Sequence, residues 1–182
     1  MSDDAIEFDP VDTIAAGAVG IPGRRRFMIQ ASKDGAVLAV LLEKEQVALF
    51  ASQAGQFLDD LQLPELGLDP VSDAQCGQVA DVEPLFRATV IGIGYDPGRE
   101  LVLIELRETP PEDGGDGEGD DDGPAGRDPS EPDGFVARLY ATRAQVRSIT
   151  RHGAASVERG RPPCPLCQGP MDPEGHRCPR WN

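Results

Sequence analysis

RRRFMIQASKDGAVLAVLLE (24–43) decides the fold. Two apolar stretches flank Ser-Lys-Asp-Gly, a tight-turn signal, and predict antiparallel strands at about 25–32 and 36–43. The second strand runs straight into a helical pattern. Over 44–61, Val47, Phe50, Ala51, Ala54, Leu58 and Leu61 recur at helical spacing and form one apolar face. A hairpin feeding a helix is a unit that needs a partner layer, because neither face is covered by the unit itself.

Downstream, the prolines and glycines of 62–83 read as a loop, and a second hairpin follows. Its strands are PLFRATVIGIGY (84–95) and ELVLIELRE (100–108), joined at DPGR. A strand resumes at FVARLY (135–140) and leads into a helix over about 142–157, with Val146, Ile149, Gly153 and Val157 inward. Shifting the chain by ninety-nine positions lays Val40–Leu41 on Leu139–Tyr140, Gln46–Val47 on Gln145–Val146, and Phe50 on Ile149. Any strand-into-helix junction produces some such matches. If the echo is a repeat, the body is two hairpin-plus-helix halves sharing one sheet. The expected fold class is α+β, a mixed or antiparallel sheet built from hairpin-plus-helix units, with a small C-terminal zinc knuckle.

Charge divides the chain. Residues 1–107 carry 18 acids and 8 bases, 108–134 carry 11 acids and one base, and 135–182 carry 3 acids and 8 arginines, within an overall net charge of −15. The stretch TPPEDGGDGEGDDDGPAGRDPSEPDG (109–134) has nothing to bury and reads as a solvated, self-repelling linker. The expected organisation is a body over 1–107, an acidic linker over 108–134, a strand and arginine-rich helix over 135–160 completing the body, and a tail over 161–182. Overall acidity disfavours nucleic acid for the whole chain but leaves the C-terminal third open to it. MSDDAIEFDP shows no signal-peptide pattern, and the longest apolar run, AVLAVLL (36–42), is too short to cross a bilayer. The expectation is a cytoplasmic protein with no membrane partner, where clustered cysteines point to metal rather than disulfides.

The tail, RPPCPLCQGPMDPEGHRCPRWN (161–182), holds three of the four cysteines and one of two histidines. Cys164 and Cys167 form a C-x₂-C turn, with Gly169 placed to relieve the tight backbone, and His176 and Cys178 follow after a Pro/Asp/Gly turn. Three sulfurs and one imidazole suit tetrahedral Zn²⁺. His176 and Cys178 are two apart, so both reach one ion only if the chain is extended there. Cys76 and His152 are the reserve ligands. A four-ligand site is closed, hence structural.

Other cations invite weaker readings. GAVGIPGRRR (17–26) matches neither phosphate-loop pattern. It reads as turns before a strand, or alternatively as an anion site made by Arg24, Arg25 and Arg26. Arg143, Arg147 and Arg151 fall four apart on one stripe of the second helix. With Arg159 and Arg161 they form either a solvated face or a partner-binding surface. In the latter case the acidic linker would compete for that surface in the unbound state. No nucleophile–base pair or carboxylate cluster declares a catalytic site. The leading expectation is therefore a non-catalytic zinc-containing interaction or adaptor protein. The alternatives are nucleic-acid binding by the arginine-rich C-terminal surface, and an enzyme acting on a phosphorylated small molecule.

EFDP (7–10), GAVGIPGRRRFMIQA (17–31), LEKEQVALFA (42–51), VIGIGYDP (90–97) and the ending GRPPCPLCQGPMDPEGHRCPRWN (160–182) resemble an actinobacterial family, domain of unknown function 3090. The resemblance spans nearly the whole chain, with 109–134 as an acidic expansion. It transfers no catalytic residue. It implies a gene neighbourhood shared with a histidine-phosphatase-like and a phosphatidylinositol-kinase-like protein, and so a partner of one of those kinds.

Overall fold

The computed structural model describes residues 5–61, 79–109, 134–160, 163–171 and 175–181. Within them lie strands β1 (Ala5–Phe8), β2 (Thr13–Val19), β3 (Arg26–Lys33) and β4 (Ala36–Leu42), then helix α1 (Lys44–Asp60). Strands β5 (Phe86–Arg87), β6 (Val90–Asp96), β7 (Leu101–Arg107) and β8 (Val136–Ala141) follow, and helix α2 (Arg143–Glu158) comes last. The fold is α+β, as expected, with two four-stranded sheets ordered β1-β8-β7-β6 and β2-β3-β4-β5.

The deciding hairpin forms as its turn chemistry requires. Asp34 and Gly35 both take positive φ, 49° and 83°, the left-handed pair of a two-residue turn that matches strand twist. Each helix then starts at the end of its strand through the same device. Gln46 Oε1 accepts the Glu43 backbone N–H at 2.7 Å, and Gln145 Oε1 accepts the Thr142 backbone N–H at 2.9 Å. The Thr142 hydroxyl closes the second box by accepting from the Gln145 backbone N–H. Thr142→Ala is therefore expected to cost about 1 kcal/mol in urea unfolding, since Thr142 is exposed and loses little else.

The ninety-nine-residue echo extends through the architecture. β4 and α1 correspond to β8 and α2. The meander β2-β3-β4 corresponds to β6-β7-β8, with equivalent registers: Thr13 opposite Ser32 and Ser32 opposite Val37, against Val90 opposite Arg107 and Arg107 opposite Val136. The halves do not share one sheet. Instead each sends its leading strand into the other's sheet, β1 lying parallel on β8 and β5 parallel on β4. Phe8 pairs with Leu139 and Phe86 with Val40, which are themselves ninety-nine apart. One core results, uniting Ile14, Ile29, Val40 and Val47 with Val102, Ile104, Leu139, Val146 and Ile149.

Two sequence expectations are corrected here. PLFRATVIGIGY is not one strand. The chain changes sheets at Ala88–Thr89, where Ala88 is buried and the Gln46 side-chain amide donates to both carbonyls. GAVGIPGRRR (17–26) is also more than turns before a strand, since Gly17–Val19 form the end of β2 and Arg26 opens β3. TIAAGAV is poor in the branched and aromatic residues that mark strands, and its small residues serve close approach. A Cβ on Gly17 would stand 3.1 Å from Ser156 Oγ, and one on Gly153 would stand 3.8 Å from the Ala16 Cβ.

Candidate metal centre

The tail's first arm is built by backbone hydrogen bonds around the C-x₂-C turn. The Gln168 N–H donates to the Cys164 carbonyl at 2.8 Å, and the Cys164 N–H donates to the Gly169 carbonyl at 2.7 Å. The left-handed residue is Gln168, with φ 62°, rather than the glycine after it. Gly169 lies against the cluster: a Cβ there would stand 3.4 Å from Cys167 Sγ and 3.8 Å from His176 Cε1, in van der Waals contact with both. The Cys167 and Leu166 amides point at the Cys164 sulfur and, against its burial, hold that thiol down to about 6. Cys167 is pulled down by the Gly169 amide, but burial and the Cys164 and Cys178 thiols outweigh it and leave the group raised.

The second arm starts at Gly175, whose φ of 113° only glycine takes readily, and brings His176 and Cys178 to the same point. The four ligand atoms of Cys164, Cys167, His176 and Cys178 all lie within 4.8 Å of one another. Cys164 Sγ is 3.8 Å from Cys178 Sγ, and Cys167 Sγ is 3.1 Å from His176 Nε2. Tetrahedral bonds of about 2.3 Å to sulfur place two sulfurs roughly 3.8 Å apart, so the first pair already has the spacing an ion imposes. The four residues lie close enough to hold a metal ion. Arg180 Nη1 donates to the Leu166 carbonyl at 3.1 Å and ties the two arms together.

A family model described as protein of unknown function (DUF3090) matches residues 6–178. The chain belongs to this family. No curated protein and no solved structure matches it. In this DUF3090 member the match reaches both arms of the Cys/His cluster, from Cys164 to Cys178.

The reserve ligands are not needed to complete the set. His152 is exposed on α2, and Cys76 lies outside the described residues, as do Arg161 and most of the acidic linker.

The arginines have specific places. Arg25 donates to the Ser156 and Arg159 carbonyls at 3.1 and 2.5 Å, satisfying the end of α2 where a cation is favourable. Arg26 pairs with Asp81 at 2.5 Å and Glu83 at 3.3 Å, which hold its pKa above the usual value. Two members of the anion-site reading are thus engaged within the fold, and Arg24 is exposed. Along α2 the stripe is divided. Arg143 and Arg147 are partly buried, Arg147 donates to Asp59 of α1 at 2.9 Å, and Arg151 and Arg159 are exposed. Arg138 meets Glu105 at 3.0 Å; Glu105, hydrogen-bonded first by Arg107 and also by Arg138, is held below the usual carboxylate range.

A further concavity, between α1 and β6, escaped sequence reasoning. Its volume is about 120 Å³, and Leu49, Phe50, Ile91 and Ile93 contribute to its wall. Leu49 is 57% exposed and lies out of phase with the helix's buried face, which was the available signal. Small-molecule sites typically occupy about 300–1,000 Å³, so this groove is the size of a side-chain pocket. No helix among the described residues is long and apolar enough to cross a membrane.

Proposed function

We propose that this DUF3090 protein is a non-catalytic interaction protein whose tail is a recognition module folded around structural Zn²⁺. The observation that carries the reading is the ligand set. Three sulfurs and one imidazole nitrogen converge within 4.8 Å, a combination that favours zinc and fills a tetrahedral shell, leaving no position for water or substrate. Bound zinc supplies folding free energy, roughly 10–16 kcal/mol in finger peptides, to a segment too short for a core of its own.

The folded module presents a mixed surface. Leu166 and Trp181 are 50% and 78% exposed, and Arg177 and Arg180 are exposed beside Cys178. Aromatic and arginine side chains dominate interface energetics, so these groups, with Arg151 and Arg159 of α2, suit an acidic protein partner. The histidine-phosphatase-like and phosphatidylinositol-kinase-like proteins of the implied gene neighbourhood are the first partners to test.

Reconstitution from purified components tests this. Trp181→Ala should weaken the complex at least about tenfold with zinc retained, and Cys164→Ser should abolish it. A complex indifferent to both substitutions contradicts the reading.

A second reading, single-stranded nucleic acid, draws support from one feature. Trp181 and Arg177 line an open cleft with His176, Cys178 and Pro179, where a base has a stacking surface beside a cation. Tight oligonucleotide binding with a steep salt dependence would favour it over a protein partner.

A further inference from the structure

The two halves of the body correspond strand for strand, yet differ in how each helix packs on its sheet. In the second helix's packing, α2 lies directly on β2. Gly17, Ala16 and Gly153 leave room for close approach, and four of the seven β2 residues are buried. The equivalent positions in the other half carry larger groups. Ile93 stands where β2 has Ala16, Leu49 where α2 has Ser148, and Ala54 where α2 has Gly153. α1 correspondingly packs far less closely on β6 than α2 does on β2, and Leu49, Ala54 and Ile93 line the groove left between them. None of the seven β6 residues is buried.

Among the described residues β6 is also an end strand of its sheet, and its outer row of backbone N–H and C=O groups has no described strand beside it. Proteins usually protect such an edge with lysine, proline, a bulge or a covering element. Val90–Asp96, VIGIGYD, has no lysine or proline, and a Cβ placed on Gly94 would meet nothing within 4 Å. The groove alongside is walled by Gln46, Leu49, Phe50, Gln53, Ile91 and Ile93, all uncharged. Its volume of about 120 Å³ suits an aliphatic side chain rather than a cofactor.

We infer that the α1–β6 groove binds an extended peptide segment flanked by lysine or arginine, which adds a strand to β6 and seats an aliphatic side chain against Leu49 and Ile91. Backbone hydrogen bonds to the edge supply affinity and the pocket supplies selection, as in other strand-addition sites. Charge chooses the flanks. Glu45 lies one helical turn from Leu49, and Asp60 lies two turns beyond Gln53. Both are exposed, and neither makes an ion pair among the described residues. A second copy of the chain is a poorer occupant, because it brings the same carboxylates and a further net charge of −15.

The site is independent of the metal centre, so its failure is separable from failure of the zinc reading. The test pans the zinc-loaded full chain against a display library of random nonapeptides, then measures enriched peptides by fluorescence anisotropy. The expected consensus alternates aliphatic residues between basic flanks. Leu49→Ser should weaken binding about tenfold. The double variant Glu45→Gln, Asp60→Asn should weaken it severalfold at low salt and little at high salt. Leu49, Glu45 and Asp60 are exposed, so these changes leave the fold intact. No enrichment, an acidic consensus, or affinity unchanged by Leu49→Ser would overturn the inference. Concentration-dependent dimerisation that Leu49→Ser abolishes would assign the groove to a second copy and overturn it equally.

Discussion

Cys164→Ser is expected to reduce bound zinc from one ion per chain to none and to unfold the tail while the body remains folded. Cys164 is the most enclosed of the four candidate ligands, at 4% exposure, and the amides of Leu166 and Cys167 are already aimed at its sulfur. Serine keeps the size of the side chain but offers a hydroxyl, which is a poor zinc ligand beside a thiolate. Losing one of four ligands also opens the shell to water, and the free energy that ordered both arms goes with the metal. The readouts are zinc content by mass spectrometry and protease sensitivity at Pro163–Trp181. The thermal transition of the body should shift little. Full zinc retention would show that the ligand set is wrong. Collapse of the whole chain would show that the tail is part of the core.

The second large effect lies in the body. Ile149→Ala is expected to cost about 2–5 kcal/mol in chemical denaturation, a large share of the roughly 5–15 kcal/mol by which domains are stable. Ile149 is fully buried on α2, within the cluster that includes Val47 of α1, Ile14 of β2 and Ile104 of β7. Truncation leaves a cavity where both sheets and both helices meet. Because each half lends its leading strand to the other's sheet, the body should still unfold in one cooperative transition. Two separated transitions, or a loss below about 1 kcal/mol, would contradict a single shared core.

Much of this was legible locally. The Asp34–Gly35 turn, the helix starting after Glu43 and the C-x₂-C arm are each written in a few adjacent residues whose backbone preferences agree with the fold. The Gln46 and Gln145 echo was legible too, because a capping box needs a particular residue three places into a helix. What stayed hidden depends on distant partners. TIAAGAV reads as weak strand material because its alanines and glycine answer to α2, more than a hundred residues away in sequence. The division of PLFRATVIGIGY between two sheets depends on where Gln46 delivers its side-chain amide. The engagement of Arg25 and Arg26 followed the same rule, since their acceptors at Ser156, Arg159, Asp81 and Glu83 are distant in sequence. Of the metal centre, the sequence suggested all four residues, while the distance between arms separated by Pro170–Gly175 needed three dimensions.

The most direct test of the account is zinc-edge X-ray absorption on the purified full-length protein, together with metal stoichiometry. The expected result is one zinc per chain, with three sulfurs at about 2.3 Å and one imidazole nitrogen at about 2.0–2.1 Å. A metal-free protein with three titratable thiols in the tail, or a zinc shell containing water or carboxylate oxygen, would contradict a closed structural site at Cys164, Cys167, His176 and Cys178.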